Sequence, residues 1–302
     1  MRRFQFFEPR SVAEVSAILW EHGDEARVIA GGTDLLRKIR GNKEFPSIVV
    51  GLKKLALRKI EFDDEKVVIG SLATLQQIAS SEGIQKYVPL LAEAAGQVGA
   101  VQTRNLGTIG GNICNASPAA DTAAALLALE AVVCVAGPQG AGRRLPLNQF
   151  FTGPGQTVLR RGEWVVGVEM APMGTLEGGA YLKIGPRKGM DIATVGTAAF
   201  VSLDPSGVCR RARIALGAVA PTPVRAARAE ALLKGAAFDP ALVARASQEA
   251  MRESQPITDH RASAEYRRAM VEVLVRQALN LARERAMGRS PEAANRGKET
   301  ER

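Results

Sequence analysis

The sequence predicts an α+β protein of two domains, and three observations predict it. The first is a β-α-β rhythm near the start, where Arg27–Ala30, Leu35–Ile39 and Ser47–Leu52 read as strand, helical turn and strand. The second is the order of the last third. Strand candidates at Ala180–Ile184, Thr194–Leu203 and Arg211–Ala220 come first and helices follow, the pattern of helices packed on one face of a three-stranded antiparallel sheet. The third is the Gly/Pro-rich segment Pro172–Gly179 between these regions, where the domain boundary is placed. A length of 302 residues suits about two domains of ~150 residues each.

The elements follow in order. Phe4–Phe7 is a short apolar entry. Ser11 followed by Glu14 fits a capping box and Gly23 a stop, which makes Val12, Val15, Ile18 and Leu19 the apolar face of a helix. His22 falls in its last turn, where a histidine suits the helix dipole. Leu57–Phe62 and Lys66–Gly70 read as a hairpin around Asp63-Asp64. Thr74 is a good N-cap for Leu75–Ala79, Tyr87–Val98 is one helical run ending near Gly99, and Asp121–Glu130 is another. Ala131–Val135 and Glu163–Met170 read as strands, with Pro138–Gly142 a loop. Asp204–Gly207 is the turn of an antiparallel hairpin, and the closing helices are Arg225–Leu233, Pro240–Met251 and Ser263–Met287. The polar stretch from Gly288 to Arg302 is predicted to be disordered.

Composition narrows the function. Hydrophobic residues make up 46% of the chain, enough for a sizeable core in a soluble globular protein. The net charge of +9 is spread rather than blocked, and aromatics are only 5%, so a base-stacking surface is poorly supplied and nucleic-acid binding is disfavoured. The three cysteines, Cys114, Cys134 and Cys209, are far apart with no CxxC. That argues against a disulfide framework and against a metal or iron–sulfur site built by this chain alone, and it makes the reducing cytoplasm the expected home. The start, MRRFQFFEPR, is too charged for a signal peptide, and no apolar run approaches the ~18 residues a membrane span needs.

Two glycine pairs carry the chemical signal. Val28, Ile29 and Ala30 run straight into Gly31-Gly32, followed by Thr33, Asp34 and Leu35. Glycine lets backbone N–H groups approach a ligand, and successive N–H groups form a nest for phosphate oxygens. Thr33 adds a hydroxyl donor, while Asp34 is expected to cap the turn that follows. The same pattern also fits a tight strand-to-helix connection. The second pair, Gly110-Gly111, reads as a second turn approaching the same ligand, in a crowded polar run with Thr108, Asn112, Asn115, Ser117 and Asp121. Asn112 and Asn115 offer donors and acceptors, and Asp121 an acceptor for ligand hydroxyls, although Ser117 or Asp121 also fits a helix cap. Neither pair matches GxGxxG or GxxxxGK[ST], so a held cofactor is favoured over a hydrolysed nucleotide.

These residues resemble a known family. The AGGTDL segment (Ala30–Leu35), the TIGGN segment (Thr108–Asn112) and the continuation NASPAAD (Asn115–Asp121) are similar to the flavin-binding subunit of the molybdenum hydroxylases, the xanthine dehydrogenase and carbon monoxide dehydrogenase family. So are YLKIGPRKGMDIATVG (Tyr181–Gly196) and SQPITDHRASAEYRR (Ser254–Arg268). The resemblance covers about residues 1–285. It implies an FAD-binding domain of the vanillyl-alcohol-oxidase (PCMH) type at 1–175, with subdomains at about 1–55 and 56–175. An α+β domain at 176–287 and a tail at 288–302 would follow. It implies that Val28–Leu35 hold the pyrophosphate and adjoining groups, and that Gly107, Thr108, Gly110, Gly111, Asn112, Cys114 and Asn115 line FAD. Asp121 would accept from the cofactor's hydroxyls, Val165 would lie on the adenine side, and Lys183 near the isoalloxazine, although spacing alone equally fits Lys183 as a surface lysine on a strand. Val98 stands where the family often has an aromatic ring, and Ile184–Ala193 would be a mobile loop over the flavin. No cysteine-rich insert for a cluster is present, and no metal ligands are implied.

The resemblance further implies an electron-transfer role, and an oxidoreductase complex around it. A molybdopterin-binding large subunit would oxidise substrate, and a small subunit with two [2Fe-2S] clusters would carry electrons. This chain would pass them from FAD to an external acceptor (NAD, quinone or oxygen), in a dimer of heterotrimers. The sequence holds no acid–base pair or nucleophile constellation, which fits such a role. A self-sufficient flavin oxidase of the same superfamily is the alternative, but only His22 and His260 exist for tethering FAD through histidine.

Overall fold

The computed structural model describes residues 3–140, 142–187 and 189–288, so the expected disordered tail, past Gly288, lies outside the described residues. The chain opens with β1 (Gln5–Phe7), α1 (Val12–His22), β2 (Ala26–Ile29), α2 (Leu35–Arg40) and β3 (Ile48–Gly51). The strands form a parallel sheet in the order β1-β3-β2, so the β2-α2-β3 crossover leaves the glycine-bearing connection at the C-terminal end of β2. Ser11 caps α1 by accepting from the Glu14 N–H. The capping box is only half formed, because the Glu14 carboxylate accepts from the N–H of Arg10 instead of Ser11.

The second sheet begins with the expected hairpin, β4 (Ile60–Phe62) and β5 (Val67–Gly70). Six short helices follow: α3 (Leu75–Ser80), α4 (Glu82–Tyr87), α5 (Pro89–Gly96), α6 (Val101–Leu106), α7 (Ile109–Cys114) and α8 (Asp121–Ala128). Thr74 and Gln77 make a complete capping box on α3. The single run expected over Tyr87–Val98 is instead broken, because Val88 precedes a proline and takes a non-helical conformation (φ −142°). Pro89 then opens α5. The sheet is completed by β6 (Val132–Ala136), β7 (Gly142–Pro146) and β10 (Trp164–Met170), in the order β4-β5-β10-β6-β7, with the small hairpin β8 (Phe151–Gly153) and β9 (Gln156–Thr157) beside it.

The third sheet is antiparallel: β11 (Glu177–Ile184), β12 (Val195–Leu203), β13 (Cys209–Gly217) and β14 (Val224–Arg225). It has a fourth strand where three were expected. β14 is two residues long and follows Pro221 and Pro223, which hide its strand signal. Then come α9 (Ala227–Leu233), α10 (Pro240–Glu253) and α11 (Ala264–Ala286). One face of this sheet packs on those helices, with Val201, Ile214 and Leu216 against Val271, Val275 and Leu279. The other face is also covered: Tyr181, Ala198, Phe200 and Ala215 join the core formed by α5 and α8. Every residue of β12 is therefore buried. That double burial seats the third sheet directly behind the start of α8.

Candidate functional site

A cleft of about 1010 Å³ runs between the parallel sheet, the α6–α7 segment, β10 and the loop after β11. The first glycine motif forms one wall. Val28, Ile29, Ala30, Gly31, Gly32, Thr33, Asp34 and Leu35 all line it. Gly32 takes a positive φ of 72°, a conformation that favours glycine. Gly31 is held tight against α6: a Cβ there would lie 1.7 Å from the Leu106 carbonyl oxygen. Among the described residues, the N–H groups from Gly31 to Leu35 have no protein acceptor. This is a run of free donors at the end of a strand and the start of α2, the arrangement that receives an anion. Asp34 does not cap α2 with its side chain, as expected from sequence; it pairs with Arg37 at 3.6 Å, and its backbone is already helical.

The second glycine motif is a different object from the first. Gly110 and Gly111 lie inside a helix, α7, not in a turn, and the helix's leading N–H groups are spent within the protein. Ile109 N–H donates to the Ala73 carbonyl, Gly110 N–H to the Ser71 carbonyl and Gly111 N–H to the Thr108 hydroxyl, all at 3.0–3.1 Å. Gly110 is glycine for packing, since a Cβ would meet the Ser71 Cβ at 2.7 Å and its carbonyl oxygen at 2.8 Å. The motif therefore offers the cleft a smooth surface rather than a second nest. Gly107, Thr108, Gly110, Gly111, Asn112, Cys114 and Asn115 all face it. Asn112 Oδ1 accepts from the Thr122 hydroxyl at 2.6 Å, which orients its amide. Burial pushes the Cys114 thiol up to about 12, against a backbone hydrogen bond at Val165, so it is a packed, protonated side chain.

Asp121 is the most constrained charge in the wall. It is the first residue of α8, buried, and neither it nor Ser117 caps that helix. Tyr181 Oη donates to its Oδ1 at 2.5 Å and Lys183 Nζ to its Oδ2 at 3.1 Å. Burial raises the Asp121 carboxyl above its ordinary range, against the opposing pull of Lys183 and Tyr181. Burial, and then the Asp121 charge, raise the Tyr181 phenol well above its usual value. Lys183 is no surface lysine: its side chain is only 12% exposed, and it also donates to the carbonyls of Gln97 at 2.6 Å and Asp191 at 3.2 Å. It stands behind the wall, tying together three segments that do line the cleft.

Val98 and Val165 line the cleft too, so of the sequence-predicted residues only Lys183 lies outside its lining. Sequence reasoning missed Ser71 and Thr103, and it gave Met190 and Ile192 only as part of the Ile184–Ala193 loop; all four line the cleft. The last two are exposed, at 70% and 48%, next to Asp191, whose carboxylate is held by Arg187.

Residues 2–172 match the family model of the FAD binding domain in molybdopterin dehydrogenase, and residues 180–282 that of the CO dehydrogenase flavoprotein C-terminal domain. The chain belongs to the FAD-binding subunits of the molybdenum hydroxylases. It is 36% identical to the carbon monoxide dehydrogenase medium chain of Hydrogenophaga pseudoflava, over 93% of this chain and 97% of that one. The xanthine dehydrogenase FAD-binding subunit of Escherichia coli O157:H7 is 33% identical, over 85% and 88%. A solved structure of the Hydrogenophaga pseudoflava carbon monoxide dehydrogenase superposes with a TM-score of 0.90 at 37% identity, covering 93% of this chain and 97% of its counterpart.

As a FAD-binding subunit of this family, the chain is part of an oxidoreductase and its cofactor is FAD. The cleft fits that group: its volume is at the upper end of small-molecule sites, ~1,000 Å³, and its open run of amide donors is bordered by a glycine that admits no Cβ. No helix among the described residues is long and apolar enough to cross a membrane.

Proposed function

We infer that this chain is the electron outlet of a molybdenum hydroxylase, a subunit that takes electrons from the iron–sulfur clusters of a small partner and hands them to an external acceptor such as NAD, a quinone or oxygen. A molybdopterin-binding large subunit performs the substrate chemistry, in a dimer of heterotrimers in the cytoplasm. Residues 1–175 form the FAD-binding domain and 176–287 the C-terminal domain. The observation that carries the reading is the nest of unpaired amides from Gly31 to Leu35, opening into a cleft of dinucleotide size.

FAD supplies electron uptake and release when bound. The chain's own residues do the rest. The Gly31–Leu35 amides and the Thr33 hydroxyl hold the diphosphate, with no lysine needed for charge. The flat face of α7 lets the cofactor lie close, and the Asn112 amide, fixed by Thr122, is oriented toward it. Asp121, with both oxygens held, presents an acceptor of fixed direction to the polar part of the cofactor. Lys183 sets that direction from behind. Met190 and Ile192, on the loop after β11, give the cleft an apolar edge.

The test is purification of the native complex, with FAD, iron and molybdenum counted per chain. Flavin bleaching is then followed after mixing with reductants of the holoenzyme. One FAD per chain, bleached only when the iron–sulfur partner is present, is the expected result. Turnover of a reducible substrate by the isolated chain overturns the reading in favour of a self-sufficient flavin oxidase.

A further inference from the structure

Ser71 directly follows β5 and lies against the first turn of α7. Its backbone is fully committed. The N–H donates to the Val166 carbonyl at 2.9 Å, and the carbonyl accepts from the Gly110 N–H at 3.0 Å. The side chain is packed on Gly110, where a Cβ would meet the Ser71 Cβ at 2.7 Å. Ser71 is only 2% exposed, yet it lines the cofactor cleft. Its hydroxyl has no hydrogen-bond partner among the described residues. A buried hydroxyl left unpaired opposes folding, so one held in a ligand cleft points to the ligand as its partner. Thr197 Oγ1 and Arg267 Nε are also without a partner among the described residues, but neither residue lines the cleft.

We propose that the Ser71 hydroxyl is a hydrogen-bond donor to the FAD diphosphate, reaching it from the α7 side of the cleft. The assignment rests on the reading above that places the diphosphate at the Gly31–Leu35 amides. Two observations put Ser71 beside that nest. Its neighbour Leu72 packs in one cluster with Val28 and Ala30, the residues that lead into the nest. The start of α7 abuts the nest as well: Gly31 presses on the Leu106 carbonyl, and a Cβ on Gly107 would lie 3.6 Å from the Thr33 hydroxyl. The chemistry agrees. A diphosphate needs donors, and a hydroxyl gives one without adding charge. A hydrogen bond to a charged group is worth more than one between neutral groups. Because the Ser71 backbone is held on both sides, the hydroxyl is positioned before the cofactor arrives, which lowers the cost of ordering it.

The test compares Ser71→Ala with wild type and with Thr197→Val, which removes an unpaired hydroxyl away from the cleft. FAD affinity is measured by flavin fluorescence titration of the FAD-stripped complex, with ADP as a competitor that carries the diphosphate alone. Urea unfolding of the full-length chain without FAD is the second readout. In Ser71→Ala the affinities for FAD and for ADP should both fall about tenfold. The FAD-free chain should be at least as stable as wild type, because an unpaired buried group has been removed. Thr197→Val should bind both ligands like wild type. Wild-type FAD affinity in Ser71→Ala overturns the proposal. So does a less stable FAD-free chain, which would make Ser71 a structural residue, or a loss of FAD affinity with ADP unchanged, which would direct the hydroxyl to another part of the cofactor. A wild-type complex that binds FAD but is indifferent to ADP overturns the placement of the diphosphate at the nest, and the proposal with it.

Discussion

The Tyr181 hydroxyl donates to Asp121 Oδ1 at 2.5 Å, linking β11 to the first turn of α8 across sixty residues of sequence. Lys183, two residues further along the same strand face, holds the other oxygen. One buried carboxylate thus joins the C-terminal sheet to the cofactor cleft. In Tyr181→Phe, Asp121 loses a donor it cannot replace from water, and the chain should lose about 1–3 kcal/mol of stability. Urea unfolding of the FAD-free chain checks this. A variant as stable as wild type would show that Lys183 alone satisfies the carboxylate.

Gly31→Ala should be the most damaging single methyl group in the cleft. Its Cβ would meet backbone, the Leu106 carbonyl, at 1.7 Å, so the loop or α6 must move. We expect FAD binding at least about tenfold weaker, roughly 1.4 kcal/mol or more. Gly111→Ala meets only the Thr108 hydroxyl, at 3.1 Å, and should keep more of its cofactor. Fluorescence titration of the two FAD-stripped variants with FAD gives the order.

The three thiols should be silent in the folded chain. Burial pushes Cys114 up to about 12 and Cys209 up to about 11, and it raises Cys134 as well, so thiolate is scarce at each. Iodoacetamide at pH 8 should label none of them within a time that labels all three in urea. Mass spectrometry of the digested protein reports each site separately.

Asp259 sets an acid limit on the last connection. Burial pulls its carboxyl up, but the Arg261 and Ala262 N–H groups and the Arg267 guanidinium outweigh that and bring it from 3.8 down to about 2. A carboxyl lowered on folding contributes stability that is present above pH 3.8 and lost as pH falls through about 2. Asp259→Asn should therefore melt below wild type at pH 7, with the gap closing between pH 4 and 2. Melting curves of both proteins across that range decide it, and a gap independent of pH would remove the titration from the account.

Arg267, buried at 3% exposure, donates to the carbonyls of Thr194 and Ala218 and to Asp259. Arg267→Met leaves Asp259 and two carbonyls without their cation and should cost about 3–5 kcal/mol. Chemical denaturation measures it. Loss confined to local proteolysis near 254–263 would mean the three bonds are not coupled to global unfolding.

The AGGTDL loop was legible because a short apolar strand, two glycines and a helix start leave few other geometries. The closing helices were legible through their caps, Asp239 accepting from Leu242 N–H and Ser263 from Tyr266 N–H. The TIGGN segment was misread as a turn. Two adjacent glycines argue against a helix, and α7 forms because Ser71 and Ala73, nearly forty residues earlier, take its first N–H groups. Local sequence carries no trace of that. Lys183 was ambiguous for the same reason: alternation placed it on a strand, but its partners Gln97 and Asp121 are 86 and 62 residues away. The break at Val88 could have been read from Pro89, and was obscured by the run of alanine and leucine that follows it.

The clasp on Asp121 also has an order in time. A ribosome completes α8 and the whole Gly31–Leu35 nest before Tyr181 and Lys183 have been made. Until they emerge and β11 docks, a nascent chain holds a finished Gly31–Leu35 loop and an acidic residue without either of its two donors. The Asp121 carboxylate is thereby set in place only once the C-terminal sheet exists, and a chain cut short at residue 175 would carry the glycine motifs without either donor to it.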